Sequence, residues 1–127
     1  TNKWIDNLIL EHKVNDKNVF LFGFSQGTML SLFMGPQRLN ALGGIIGFSG
    51  KLVNVDVLKD RIHSRPPILL VHGDEDQVVP PHCLQEAYDQ LTALNFRVKK
   101  FVSAGIGHGI APNGLAKALD FLKEINC

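Results

Sequence analysis

Hydrophobic and polar positions alternate along the chain in blocks of two kinds. Trp4, Ile5, Leu8 and Ile9 recur at helical spacing, with Lys3, Asp6, Asn7 and Glu11 on the remaining arc, which predicts an amphipathic helix ending near Lys13. Asn15, Asp16 and Asn18 punctuate it. VFLFGF, residues 19–24, is then a continuous apolar run rich in Val and Phe, the pattern of a strand buried on both faces in a parallel sheet. From Gln26 to Met34 the apolar residues lack alternation and stop at Gly35 and Pro36, which predicts a buried helix and a breaker.

GGIIGFSG, residues 43–50, reads as the next strand, its glycines permitting close helix packing. A helical turn is expected around Val57 to Ile62, before Pro66 and Pro67. ILLVHG, residues 68–73, is the clearest buried strand, and GDEDQVVPP forms an acidic turn after it. A helix beginning at Pro81 carries Leu84, Ala87, Leu91 and Leu94 on one face. RVKKFV is the last strand and AGIGHGIAPNG its exit loop, and a closing helix from Leu115 to Ile125 is expected to turn Leu115, Leu119, Leu122 and Ile125 inward.

This order, one helix and then four strand-to-helix units, predicts an α/β fold: a mainly parallel sheet of about four strands flanked by helices, with its chemistry at the carboxyl ends of the strands. Right-handed crossovers put the three connecting helices on one face and leave the closing helix to cover the other. Strand 19–24 then lies at an edge, with Phe20, Phe22 and Phe24 on one side and Val19 and Leu21 on the other, so half of its apolar surface lacks cover.

Composition narrows the classes of function. The 127 residues are 45% hydrophobic and 20% charged with net charge +1, as expected of one soluble globular domain without a basic face for nucleic acid or an acidic membrane surface. No run has the length of a membrane span, and the first residues lack the continuous apolar region of a signal peptide, so no stable membrane insertion is expected. The two cysteines, Cys83 and Cys127, form neither a disulfide framework nor a CxxC motif and read as reduced thiols in a cytoplasmic protein.

G-x-S-x-G occurs once, as Gly23-Phe24-Ser25-Gln26-Gly27, between a predicted buried strand and a predicted helix. In that setting glycines relieve crowding in a sharp turn, Ser25 is presented at the strand end, and the backbone N–H of Gln26 opens a helix whose positive dipole end faces any anion forming nearby. The alternative is a structural strand-to-helix turn. A serine nucleophile needs a base and an acid. His108 follows the last strand, and Asp76 follows ILLVHG, with Asp74 as its competitor. Ser25, Asp76 and His108 fall in the chain order of an α/β-hydrolase triad.

Other residues carry less. His72 is expected to support the acid loop rather than touch substrate, His12, His63 and His82 are read as surface residues, and Cys83 as a small buried group. Asp74, Glu75 and His72 sit too close together on one turn to converge on a metal. Gly105, Gly107 and Gly109 lack the spacing and downstream acid of a dinucleotide loop.

GFSQG, HGDEDQVVP and the GHG loop together resemble the phospholipase/carboxylesterase family, which includes acyl-protein thioesterases, within the α/β-hydrolase superfamily. The resemblance implies Ser25 as nucleophile, Asp76 rather than Asp74 as acid, and His108 as base, acting on small acyl esters or thioesters without metal or organic cofactor. It also implies that residues 1–127 are one domain forming the carboxyl-terminal part of such a fold, without the earlier strands and the loop that supplies a second oxyanion N–H. Losing one such donor costs about 10²- to 10³-fold in rate. Two outcomes are therefore expected: a serine hydrolase, or a weak or inactive hydrolase fragment that serves as an interaction module. The open edge at residues 19–24 is expected to pair with a second copy or with an amino-terminal hydrolase piece.

Overall fold

The computed structural model describes residues 5–7, 10 and 15–125. Most of the expected first helix, and Cys127, lie outside these residues. Four strands, β1 (Phe20–Phe24), β2 (Gly44–Phe48), β3 (Ile68–Gly73) and β4 (Val98–Ser103), alternate with α1 (Gln26–Met34), the single turn α2 (Val55–Leu58), α3 (His82–Ala93) and α4 (Pro112–Ile125). The sheet is parallel throughout with order β1-β2-β3-β4. Among the described residues no helix is long and apolar enough to cross a membrane.

Alternation along the strands builds two cores. Ile45, Ile68 and Leu70 pack with Leu32 of α1 and with Leu84, Ala87 and Leu91 of α3 on one face. Ile46, Phe48, Leu69 and Val71 pack with Ala118 and Phe121 of α4 on the other. Every residue of β2 and β3 is buried, as expected for strands covered on both sides.

The expectation of burial on both faces fails for β1. It lies at the sheet edge, and α4 packs across β2, β3 and β4, so Phe22 is 52% and Phe24 38% exposed.

Three further expectations are corrected. The turn expected at Val57 to Ile62 forms earlier, at Val55–Leu58, where Asn54 in a left-handed conformation precedes it and the fully buried Leu58 anchors it. The closing helix starts at Pro112 rather than Leu115, because proline fits the first helical position, where no N–H is needed. Its inward face is as expected at Leu122 and Ile125, which pack against the core, but Gly114, Ala118 and Phe121 are the buried residues, whereas Leu115 is 46% and Leu119 54% exposed. The sheet sets this rotation. A Cβ at Gly114 would stand 2.9 Å from Val71 Cγ1, so only the smallest side chain fits the point of closest approach. Lys117 lies over the Phe101 ring and Glu124 pairs with Lys99, which turns that flank of α4 toward β4. Leu115 and Leu119, on the opposite flank, are left exposed.

Candidate active site

Three loops at the carboxyl ends of β1, β3 and β4 meet at one point. After β1, the Ser25 N–H donates to the Phe48 carbonyl (2.8 Å), extending the ladder by one rung, and the backbone then reverses at φ 55°, ψ −112° into α1. Such a conformation in a residue other than glycine costs on the order of 1–3 kcal/mol and persists only where its surroundings enforce it. Enforcement comes from Thr28. Its buried hydroxyl donates to the same Phe48 carbonyl (2.8 Å), and its side chain fills the space left by Gly47 and Gly50, where a Cβ would approach within 2.5 Å. Gly23 allows the first turn of α1 to pass over β1, but a Cβ at Gly27 would meet nothing within 4 Å. The expectation that both glycines of the pentapeptide relieve crowding therefore applies only to Gly23.

The acid loop and the histidine loop are tied together. A Cβ on Gly73 would stand 2.2 Å from the Ile106 carbonyl oxygen, so its absence lets residues 106–107 run against the end of β3. The Glu75 N–H donates to the Ile106 carbonyl (2.9 Å), and the Gly105 N–H, at φ 73°, donates to Asp74 Oδ1 (2.8 Å). The Asp74 carboxylate is thus occupied with the loop backbone. Asp76 is the acid that faces His108.

Asp76 is buried, and its Oδ1 accepts from the N–H groups of Val78 (2.9 Å) and Val79 (2.8 Å). Its Oδ2 lies 2.8 Å from His108 Nδ1, and His108 Nε2 lies 3.1 Å from Ser25 Oγ. Burial alone would push the Asp76 carboxyl up. The hydrogen bonds from His108, Val79 and Val78, with the attraction of the His108 ring, outweigh burial and hold it below its ordinary value. An ionised carboxylate only accepts, so Nδ1 carries the ring proton, and Nε2 is left to accept from the Ser25 hydroxyl. The ring of Phe24 lies against the His108 imidazole, with centroids 4.8 Å apart at 45°.

Sequence reasoning singled out Ser25, Asp76 and His108, and the fold brings all three together. The Gln26 N–H sits in the first turn of α1, beside Ser25, where no intrahelical acceptor exists. His72 is buried beneath the acid loop, as expected, while His63 and His82 are exposed and His12 is outside the described residues. Burial, followed by the negative charge of Glu86, pushes the Cys83 thiol up, with Lys51 opposing and Asp76 adding least. Among the described residues no group of three or more His, Cys, Asp or Glu is placed to hold a metal ion. A cavity of about 550 Å³ lined by Asp6, Leu10, Asp16, Gln37, Arg38, Leu39 and Asn40 includes none of Ser25, Asp76 and His108. Thr28 escaped sequence reasoning because its partners are 20 residues away, although the glycines that receive it were visible.

A family model described as phospholipase/carboxylesterase matches residues 1–126. An acyl-protein thioesterase 1 of Gibberella zeae is 29% identical over 132 residues, which cover 98% of this chain and 56% of that protein. An acyl-protein thioesterase 1 of Aspergillus fumigatus is 36% identical over 122 residues, covering 91% and 51%. The crystal structure of esterase PE8 superposes with a TM-score of 0.91 at 39% identity, covering 94% of this chain and 56% of that one. The chain spans about half the length of these relatives.

Proposed function

This chain belongs to the phospholipase/carboxylesterase family of α/β-hydrolases, and from that premise we propose that it is a serine hydrolase of small acyl esters or thioesters. One observation carries the reading: the continuous hydrogen-bonded line from Ser25 Oγ through His108 to Asp76. In this mechanism His108 Nε2 takes the Ser25 proton as Oγ attacks the acyl carbonyl carbon, and Asp76 stabilises the imidazolium that results. The oxyanion faces the Gln26 N–H and the positive end of α1. Collapse of the tetrahedral intermediate breaks the bond to the leaving oxygen or sulfur, which receives the proton from Nε2. Water, deprotonated by His108, then releases the acid and restores Ser25.

The test is trapping of the intermediate. Brief incubation with p-nitrophenyl acetate, acid quenching and peptide mass analysis should find one acetyl group, on Ser25. An acetyl group found elsewhere, or none, contradicts the reading.

A second reading is favoured by the exposure of Phe22 and Phe24 on β1, whose outer edge pairs with no strand among the described residues. Here the chain is a weak hydrolase fragment whose β1 edge takes up a further strand, from an amino-terminal hydrolase segment or from a second copy. Sedimentation as a monomer together with full esterase activity of the 127-residue chain would rule it out.

A further inference from the structure

His72 is an expensive residue to bury, since an imidazole inside a protein needs a partner for its polar atoms. Placed near the end of β3, it is 2% exposed and directs its ring at the acid loop. Its Nε2 stands 2.9 Å from the Val79 carbonyl oxygen. A carbonyl only accepts, so Nε2 carries the proton and donates it. The same nitrogen lies 3.4 Å from Asp76 Oδ2, the oxygen that holds His108.

The bond to Val79 has a directed consequence. Val79 is held on both sides of its Cα: its carbonyl, in the peptide to Pro80, accepts from His72, and its N–H, in the preceding peptide, donates with that of Val78 to Asp76 Oδ1. Two donors on Oδ1 fix the carboxylate plane, and the fixed plane presents Oδ2 to His108 Nδ1. Asp76 immediately precedes a bend at residues 77–79, within which the side chain of Val79 is buried.

We propose that His72 is a positioning residue: by clamping the Val79 carbonyl it sets the orientation of the Asp76 carboxylate, and through it the tautomer and aim of His108. This rests on the reading of Ser25, His108 and Asp76 as a catalytic triad. His72 touches neither substrate nor the reacting atoms, and its effect reaches Ser25 only through Asp76.

The experiment compares His72→Phe, which keeps a ring without the donor, with His72→Gln, whose terminal amide places an N–H close to the position of Nε2. Two quantities are read in each folded variant: the ¹⁵N shifts of the His108 ring at alkaline pH, which report which nitrogen holds the proton, and the rate of Ser25 labelling by a fluorophosphonate. The wild-type ring should be the Nδ1–H form. His72→Phe should give a mixed tautomer and label at least about tenfold more slowly, and His72→Gln should restore both. If His72→Phe does not fold, His72→Asn, whose amide stops short of Val79, replaces it and is read in the same way. Either variant without a donor in reach of the Val79 carbonyl overturns the proposal if it keeps the Nδ1–H tautomer and the wild-type labelling rate. Absence of labelling in the wild type would refute the hydrolase reading alone, because the tautomer comparison decides the role of His72 without it.

Discussion

Gly23 lies directly beneath the backbone of Gly27: a Cβ on Gly23 would stand 2.6 Å from both the carbonyl carbon and the carbonyl oxygen of Gly27. The obstruction is backbone, which cannot swing aside as a side chain tip does. Gly23→Ala should therefore destabilise the fold by about 1–3 kcal/mol, because the turn that presents Ser25 must open. Gly27→Ala meets open space within a helix and should change stability by less than about 1 kcal/mol, in the favourable direction. Urea unfolding of the two variants checks the pair, and equal losses would show that the close passage of α1 over β1 is wrong.

The rotation of α4 makes a second contrast. Phe121 is buried in the core formed with Phe48 and Val71, whereas Leu119, two residues earlier, is half exposed. Phe121→Ala should cost about 3–5 kcal/mol. Leu119→Ala should cost far less, about 1 kcal/mol, since half of its surface stays in water on folding. A larger loss at Leu119 than at Phe121 would restore the face suggested by the leucine spacing.

Acid should weaken the fold through Asp76. Its carboxyl titrates below its ordinary value in the folded chain, so the ionised form favours folding above the unfolded value of about 3.9, and that contribution disappears as pH falls through the lower folded value. Below about pH 4 the urea midpoint of the wild type should fall more steeply than that of Asp76→Asn, each referred to its own value at neutral pH. Parallel curves would mean that the hydrogen bonds to Asp76 do not favour its charge.

Much of this was legible in the sequence for definite physical reasons. ILLVHG coincides with β3 because an unbroken apolar run between Pro67 and Asp74 leaves no other boundary. The three loops were identifiable because Ser25, Asp76 and His108 each follow a strand in a parallel sheet, which gathers strand ends on one side. The facing of α4 was legible at Leu122 and Ile125, which pack against the core, and not at Leu115 and Leu119, which are exposed. Its leucines and its small residues occupy adjacent arcs, and hydrophobicity favours the leucines, while the sheet selects Gly114 and Ala118 because it demands close approach. The support beneath the site was legible only in part: the glycines of β2 announced close packing, but nothing local named Thr28 as what they receive, and nothing named the Val79 carbonyl as the partner of His72.

Activation of Ser25 by His108 and Asp76 is the step we propose. It is tested most directly by reacting the 127-residue chain with a fluorophosphonate, alongside Ser25→Ala, and following covalent labelling by intact mass. One adduct is expected on the wild type, lost in Ser25→Ala and slowed by about 10²-fold or more in His108→Ala. A wild-type chain that takes up no adduct, or one labelled as fast without Ser25, would contradict it.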